Sequence, residues 1–190
     1  MKDPVPEKSG PILTVGHSTR TLDDFIHLLR VHEVDEIVDV RTIARSRHNP
    51  QFNRATLPDR LRSSGIAYLH MPGLGGLRHP RADSLNLGWR NASFRGFADY
   101  MQTEEFEEQL EEAIEESKKG RIALMCAEAV PWRCHRSLIA NALQVRKIAV
   151  EHILSPVRRQ PHHLTPFARA KGIRVIYPLP SAPDTDHSDQ

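Results

Sequence analysis

The sequence predicts an α/β fold: a single three-layer domain over residues 11–177, with a mostly parallel sheet of five or six strands flanked by helices. Two observations carry that expectation. Short apolar runs rich in β-branched residues alternate with longer segments whose apolar residues recur at helical spacing, which is the pattern of strand–helix–strand units. A chain of 190 residues, 39% hydrophobic and 26% charged, is also the right size for one core of that kind.

The first run, ILTVGH at 12–17, predicts a strand. Leu22, Phe25, Ile26, Leu28 and Leu29 then share one helical face, and Thr21 stands where an N-cap hydroxyl is expected. EIVDVR at 36–41 predicts a second strand. A second helix is expected over 57–64, stopped by Gly65, before a third strand at 66–71. Residues 94–119 read as helical, with Phe106, Leu110, Ala113 and Ile114 as a stripe above an acidic surface and Gly120 closing it. IALMC at 122–126 predicts the fourth strand, 137–146 a helix, and 148–154 a fifth strand. A short helix over 166–171 and an extended piece at 173–177 finish the domain. The polar, Pro-containing ends, 1–10 and 178–190, are expected to be a disordered arm and a disordered tail.

Composition excludes several classes. No run approaches the roughly 18 apolar residues of a membrane span, and the polar N-terminus does not read as a secretory signal. Two cysteines are too few for a disulfide scaffold, so a cytoplasmic protein with reduced thiols and no membrane partner is expected. Net charge is only +2, but it is unevenly placed. Acids crowd into 103–119, whereas Arg41, Arg45, Arg47, Arg54, Arg78, Arg81, Arg90, Arg133 and Arg136 fall elsewhere. Such a basic face favours an anionic partner, a phosphate-bearing small molecule or nucleic acid. The absence of a Gly-x-Gly-x-x-Gly fingerprint favours hydrolysis or group transfer over redox chemistry. Cofactor and oligomeric state stay open.

Open parallel sheets bind ligands beyond the carboxyl ends of their strands. Those ends carry the unusual residues here: Gly16-His17-Ser18 with Thr19 and Arg20, then Asp39-Val40-Arg41, His70, and Cys126-Ala127-Glu128, while the fifth run includes His152. Two irregular stretches, 42–53 and 72–93, follow the second and third strands and hang from the same rim. The second is long enough to suggest a lid or binding loop. On this reading His17, Asp39 or Glu128 supplies acid–base catalysis, and Arg20, Arg41 and Arg136 hold the anion. Plainer roles stand beside these. Asp39 would serve equally as a buried structural carboxylate, His17 would satisfy a loop carbonyl, and Arg45 and Arg47 would be solvated charges.

The stretch LMCAEAVPWRCHRS at 124–137 admits three readings. A cysteine at a strand end, then a loop and an arginine near a helix start, resembles the phosphate-cradling loops of cysteine phosphatases and rhodaneses, with Cys126 as nucleophile. The interval from Cys126 to Arg133 is longer than those loops use. Cys126, Glu128, Cys134 and His135 are also metal-ligand types, although their spacing matches no standard zinc module and no metal ligand set is assigned. His17 or His70 would be needed to complete such a site. Third, both cysteines simply pack, and Glu128 pairs with an arginine. Arg136 at the first turn of a helix is disfavoured by the helix dipole, which points toward a bound anion.

The segments TVGHSTR (14–20), VDVR (38–41), SRHNPQFN (46–53), YLHMPGLGG (68–76) and LMCAEAVPWRCHRSLIA (124–140) together resemble the DUF488 family over about residues 12–155. The resemblance implies an α/β domain and a site built from His17, Ser18, Asp39, Arg41, Ser46, Phe52, Cys126, Glu128, Cys134, His135 and Arg136. It implies no reaction, substrate or cofactor. The expectation is therefore an enzyme, a hydrolase or group transferase, acting on a nucleotide or nucleic acid. His17, Asp39, Cys126 and Glu128 are its candidate catalytic residues, and Ser18, Arg20, Arg41, Ser46, Phe52, His135 and Arg136 contact substrate. The alternatives are a non-enzymatic nucleic-acid-binding module using the 41–54 and 78–90 loops, and a metal-binding or redox-sensing thiol protein.

Overall fold

The computed structural model describes residues 10–179. The arm and tail expected at 1–10 and 178–190 fall outside those residues except for Gly10, Pro178 and Leu179.

The chain runs β1 (Ile12–Gly16), α1 (Leu22–Val31), β2 (Glu36–Asp39), α2 (Leu57–Arg62), β3 (Ala67–His70), α3 (Ala92–Tyr100), α4 (Glu104–Lys119), β4 (Ile122–Cys126), α5 (Arg136–Val145), β5 (Val150–Ser155), β6 (Arg158–Pro161), β7 (Arg169–Lys171) and β8 (Arg174–Ile176). Six strands form one sheet in the order β3-β2-β4-β1-β5-β6. The first five are parallel, and β6 returns antiparallel along β5. This is the three-layer, mostly parallel α/β arrangement the alternation predicts.

Period-two alternation in the strands feeds two cores. Leu13, Val15, Ile37, Ala123 and Met125 point to one face and pack with Phe25, Leu28 and Leu29 of α1 and Leu57 and Leu61 of α2. Ile12, Val38, Ile122 and Leu124 point to the other, against α3, α4 and α5. Burying both faces is what makes these strands nearly continuous apolar runs. Local chemistry sets the helix ends: the Thr21 hydroxyl accepts from Asp24 N at 3.1 Å to cap α1.

Three expectations are corrected. Residues 94–119 are two helices rather than one, because Thr103 takes an extended conformation between them. Its hydroxyl donates to Tyr100 O at 2.7 Å and accepts from Phe106 N at 3.3 Å, finishing α3 and starting α4. The helix expected at 166–171 does not form: 166 and 167 make a turn, and 169–171 are strand β7 in a separate two-stranded hairpin with β8. Gly172, with φ +64°, makes the turn that an L side chain disfavours. Third, β6 has no counterpart in the sequence reading; its exposed, charged strand shows no alternation to detect. Among the described residues no helix is long and apolar enough to cross a membrane.

Candidate functional site

The order of strands decides where a ligand fits. After β1 and β2 the chain leaves to the face carrying α1 and α2, but after β4, which lies between them, it leaves to the opposite face carrying α5. Neighbouring strands whose connections diverge leave a crevice at their carboxyl ends. A cavity of about 610 Å³ occupies that position. His17, Ser18, Arg41, Ser46, Cys126, Glu128 and His135 line it, so these sequence-predicted residues do share one rim.

The cavity closes over Gly16, where any Cβ would overlap the Glu128 carbonyl, so the β1 turn and the 126–129 loop touch only because no side chain intervenes. Next to it Ser18 holds φ 52°, a left-handed conformation that a non-glycine residue adopts at a cost.

One polar cluster lies under the cavity and is saturated. Arg41 Nε donates to Asp39 Oδ1 at 2.8 Å and Nη2 to Asp39 Oδ2 at 2.6 Å. The Arg41 amide also reaches Oδ1 at 3.1 Å, and Tyr68 OH donates to Oδ2 at 2.7 Å. Nη2 further donates to Phe52 O at 2.8 Å. The remaining guanidinium nitrogen, Nη1, lies 3.2 Å from His17 Nε2. Because guanidinium only donates, Nε2 must be the lone-pair atom, and the proton sits on Nδ1, which donates to Ser18 O at 2.8 Å. The imidazole is stacked on Phe52 at 4.2 Å, and burial with nearby Arg41 lowers its pKa to about 4.

This corrects two expected catalytic roles. Asp39 is fully buried with both oxygens occupied, and His17 has no free nitrogen to serve as a base. Phe52, expected to contact substrate, is likewise fully buried and supports the His17 ring. Arg41 reaches the cavity wall with its charge already balanced by Asp39.

Two expected anion holders also lie off the cavity. Arg20 donates to Gly16 O at 2.6 Å and Leu154 O at 3.4 Å. Arg136 is 1% exposed. It donates to the Glu128 carbonyl, to Thr14 Oγ1 at 3.3 Å and to Cys134 Sγ at 3.4 Å. A cation at the start of α5 is thus compensated from within, by a carbonyl and a sulfur, instead of by a substrate anion. His152, at mid-strand and not on the rim, continues the chain: Thr14 Oγ1 to His152 Nδ1 is 2.7 Å, His152 Nε2 to His162 Nδ1 3.0 Å, and His162 Nε2 to Asn141 Oδ1 2.8 Å. Burial lowers these histidines to about 3 and about 4.

The second cluster is held by longer contacts through sulfur, 3.4 Å from Arg136 Nε and 3.7 Å from His135 Nδ1 to Cys134 Sγ. The ligand atoms of Cys126, Cys134 and His135 lie within 4.8 Å of one another. Cys134 is pushed well below the ordinary thiol range by the hydrogen bond from Cys126, and also by His135 and Arg136. Cys126 is pushed up by the same shared proton and by burial. Those directions make Cys134 the more acidic thiol of the pair, the opposite of what a nucleophile at Cys126 needs. His17 and His70 do not join these sulfurs, since His70 Nε2 bonds to Arg41 O at 2.9 Å.

Arg45 and Arg133, which the sequence reading places on the basic face but not in the site, line the cavity and form no salt bridge with any described residue. The sequence offers Arg45 only as part of the basic 41–54 loop, and Arg133 only as the arginine that follows Cys126 at a long interval. The 72–93 segment is less of a lid than expected. Ser84 Oγ, Asn86 Nδ2 and Arg81 N all bind the Asp99 carboxylate, and only Gly76, Leu77 and Ser93 of that stretch reach the cavity.

A family described as domain of unknown function DUF488 matches residues 21–143. The chain belongs to the DUF488 family. The match takes in the Asp39–Arg41 pair and the Cys126–Cys134–His135 group, and begins just after His17, Ser18 and Arg20. No curated protein and no solved structure matches this DUF488 chain.

Proposed function

We propose that this DUF488 protein is an enzyme, a hydrolase or group transferase, that acts on a phosphate-bearing substrate in the cavity at the strand ends. One observation carries the reading. Arg45 and Arg133 line that cavity without carboxylate partners among the described residues, beside the acid of Glu128 and the Cys134–His135 pair. Unpaired guanidinium forks match phosphate oxygens, and reactive groups next to an anion site are what phosphoryl or nucleotidyl chemistry needs. Glu128 is exposed at the rim and replaces His17 and Asp39 as the acid–base group of this reading.

The nucleic-acid-module reading has less support. Arg78 is spent on Gly75 O and Gly73 O and lies 3.5 Å over the Tyr100 ring, and Arg81 is paired with Asp83.

The test is nucleotide binding followed by calorimetry, then turnover with a panel of phosphate mono- and diesters. Arg45→Ala and Arg133→Ala are each expected to weaken binding about tenfold, as for a lost charge-assisted hydrogen bond. Glu128→Gln is expected to bind normally and lose turnover. Binding that survives the double arginine variant sinks the proposal.

A further inference from the structure

Beyond phosphate binding, we infer that Cys126 Sγ, Cys134 Sγ and His135 Nδ1 form a binding site for a thiophilic divalent cation of the zinc type, with a fourth position open to the cavity. Three independent features point there. The donor set is two sulfurs and one imidazole, all within 4.8 Å, which is the ligand chemistry and count of zinc sites that keep one position for substrate or water.

The second feature is the orientation of the ring. His135 Nε2 lies 3.2 Å from Val40 O. A carbonyl only accepts, so Nε2 carries a proton there and Nδ1 is turned toward the sulfurs. Metal-binding histidines are typically oriented this way, by a backbone carbonyl on the far nitrogen. Nδ1 lies 3.7 Å from Cys134 Sγ. That is close to the edge of about 3.5 Å between sulfur and nitrogen in a tetrahedral site with bonds of about 2.3 and 2.0 Å.

The third is space. Gly76 packs against the same imidazole edge, where a Cβ would come 2.6 Å from His135 Nδ1. Only glycine there leaves that nitrogen free.

Charge then specifies the fourth ligand. The Arg136 guanidinium, 1% exposed, donates to Cys134 Sγ at 3.4 Å and sets a buried positive charge against the site. With a divalent cation both sulfurs ionise, and the centre with Arg136 behind it carries one net positive charge. An anionic fourth ligand restores balance, and the phosphate oxygen assigned to it rests on the anion-binding reading above. Glu128, two residues past Cys126, stands at the mouth of the same cavity.

The experiment uses the full chain purified under reducing conditions without chelator. Elemental analysis is expected to find about one zinc per chain. After zinc is stripped, cobalt(II) is expected to give a thiolate-to-cobalt charge-transfer band. Cys126→Ser should abolish that band. Gly76→Ala, which removes no ligand, should weaken cobalt uptake at least about tenfold, as losses around a metal site do. Reduced protein that takes up neither zinc nor cobalt overturns the site, as does a band unchanged in Cys126→Ser. Nucleotide binding measured on the stripped protein keeps the two proposals apart. Nucleotide bound with no metal uptake refutes the metal site alone, whereas metal uptake with no nucleotide bound supports the site and refutes the phosphate reading.

Discussion

Two polar clusters lie under one cavity, and they differ in how completely their bonding capacity is used. Around Asp39 and Arg41, both carboxylate oxygens and both terminal guanidinium nitrogens have protein partners. Around Cys126, Cys134 and His135, the contacts are longer and run through sulfur: Cys134 Sγ accepts from Arg136 Nε at 3.4 Å and lies 3.7 Å from His135 Nδ1. Saturation builds a floor. Unused donors at the same rim are where an external ligand gains most, because it fills capacity that folding left open.

The sharpest way to break this contrast is Asp39→Asn. It leaves Arg41 buried without its counter-charge and is expected to cost about 3–5 kcal/mol in urea unfolding. A loss under about 1 kcal/mol would mean the pair is not the floor it looks like.

Acid attacks the buried histidines next. His17, His152 and His162 are held near about 4, about 3 and about 4, against an ordinary value of 6.5. As pH falls below 6.5 the unfolded chain takes up protons that the folded chain refuses. Stability from these groups is therefore complete above about 6.5 and declines toward about 4. Denaturant midpoints that stay flat between those values would remove the neutral assignment, and with it the His17–Arg41 hydrogen bond.

Thr14→Val tests how the buried histidine chain is tied to Arg136, since Thr14 Oγ1 sits between Arg136 and His152. The side chain keeps its shape and loses its hydroxyl, so about 1–3 kcal/mol should be lost. An unchanged thermal midpoint would show that the buried chain of histidines is incidental. On the cysteine side, the reduced, metal-free protein should titrate one thiol below and one above the free-cysteine value of about 8.5. Two coincident steps in the ultraviolet thiolate signal would refute the shared proton. The smallest effect belongs to the surface: Arg62→Ala breaks an exposed pair with Asp59, 76% accessible on both sides, and should shift stability by no more than about 0.5 kcal/mol.

Much of this fold was legible because its causes are local. Alternating apolar residues in ILTVG and EIVD, the Thr21 cap and the Gly120 stop each act within a few residues. The gathering of His17, Arg41, Cys126 and Glu128 at one rim also followed from strand order in the chain, since every parallel strand ends on the same side. The roles of those residues did not follow. Arg136 had the misplaced charge that signals an anion, but its partner is Thr14, 122 positions away, together with a loop carbonyl and a sulfur. Asp39 and His17 had the right chemistry for catalysis, but Tyr68, Phe52 and Arg41 had already consumed it.

Residue type and spacing thus determined, from the sequence by itself, which groups would come to the end of the sheet. Only the tertiary structure decided which of them remain available. Hydrogen-bond capacity is finite, and whether a lone pair or a charge is already used depends on neighbours that pairing of distant segments brings within 3 Å or so.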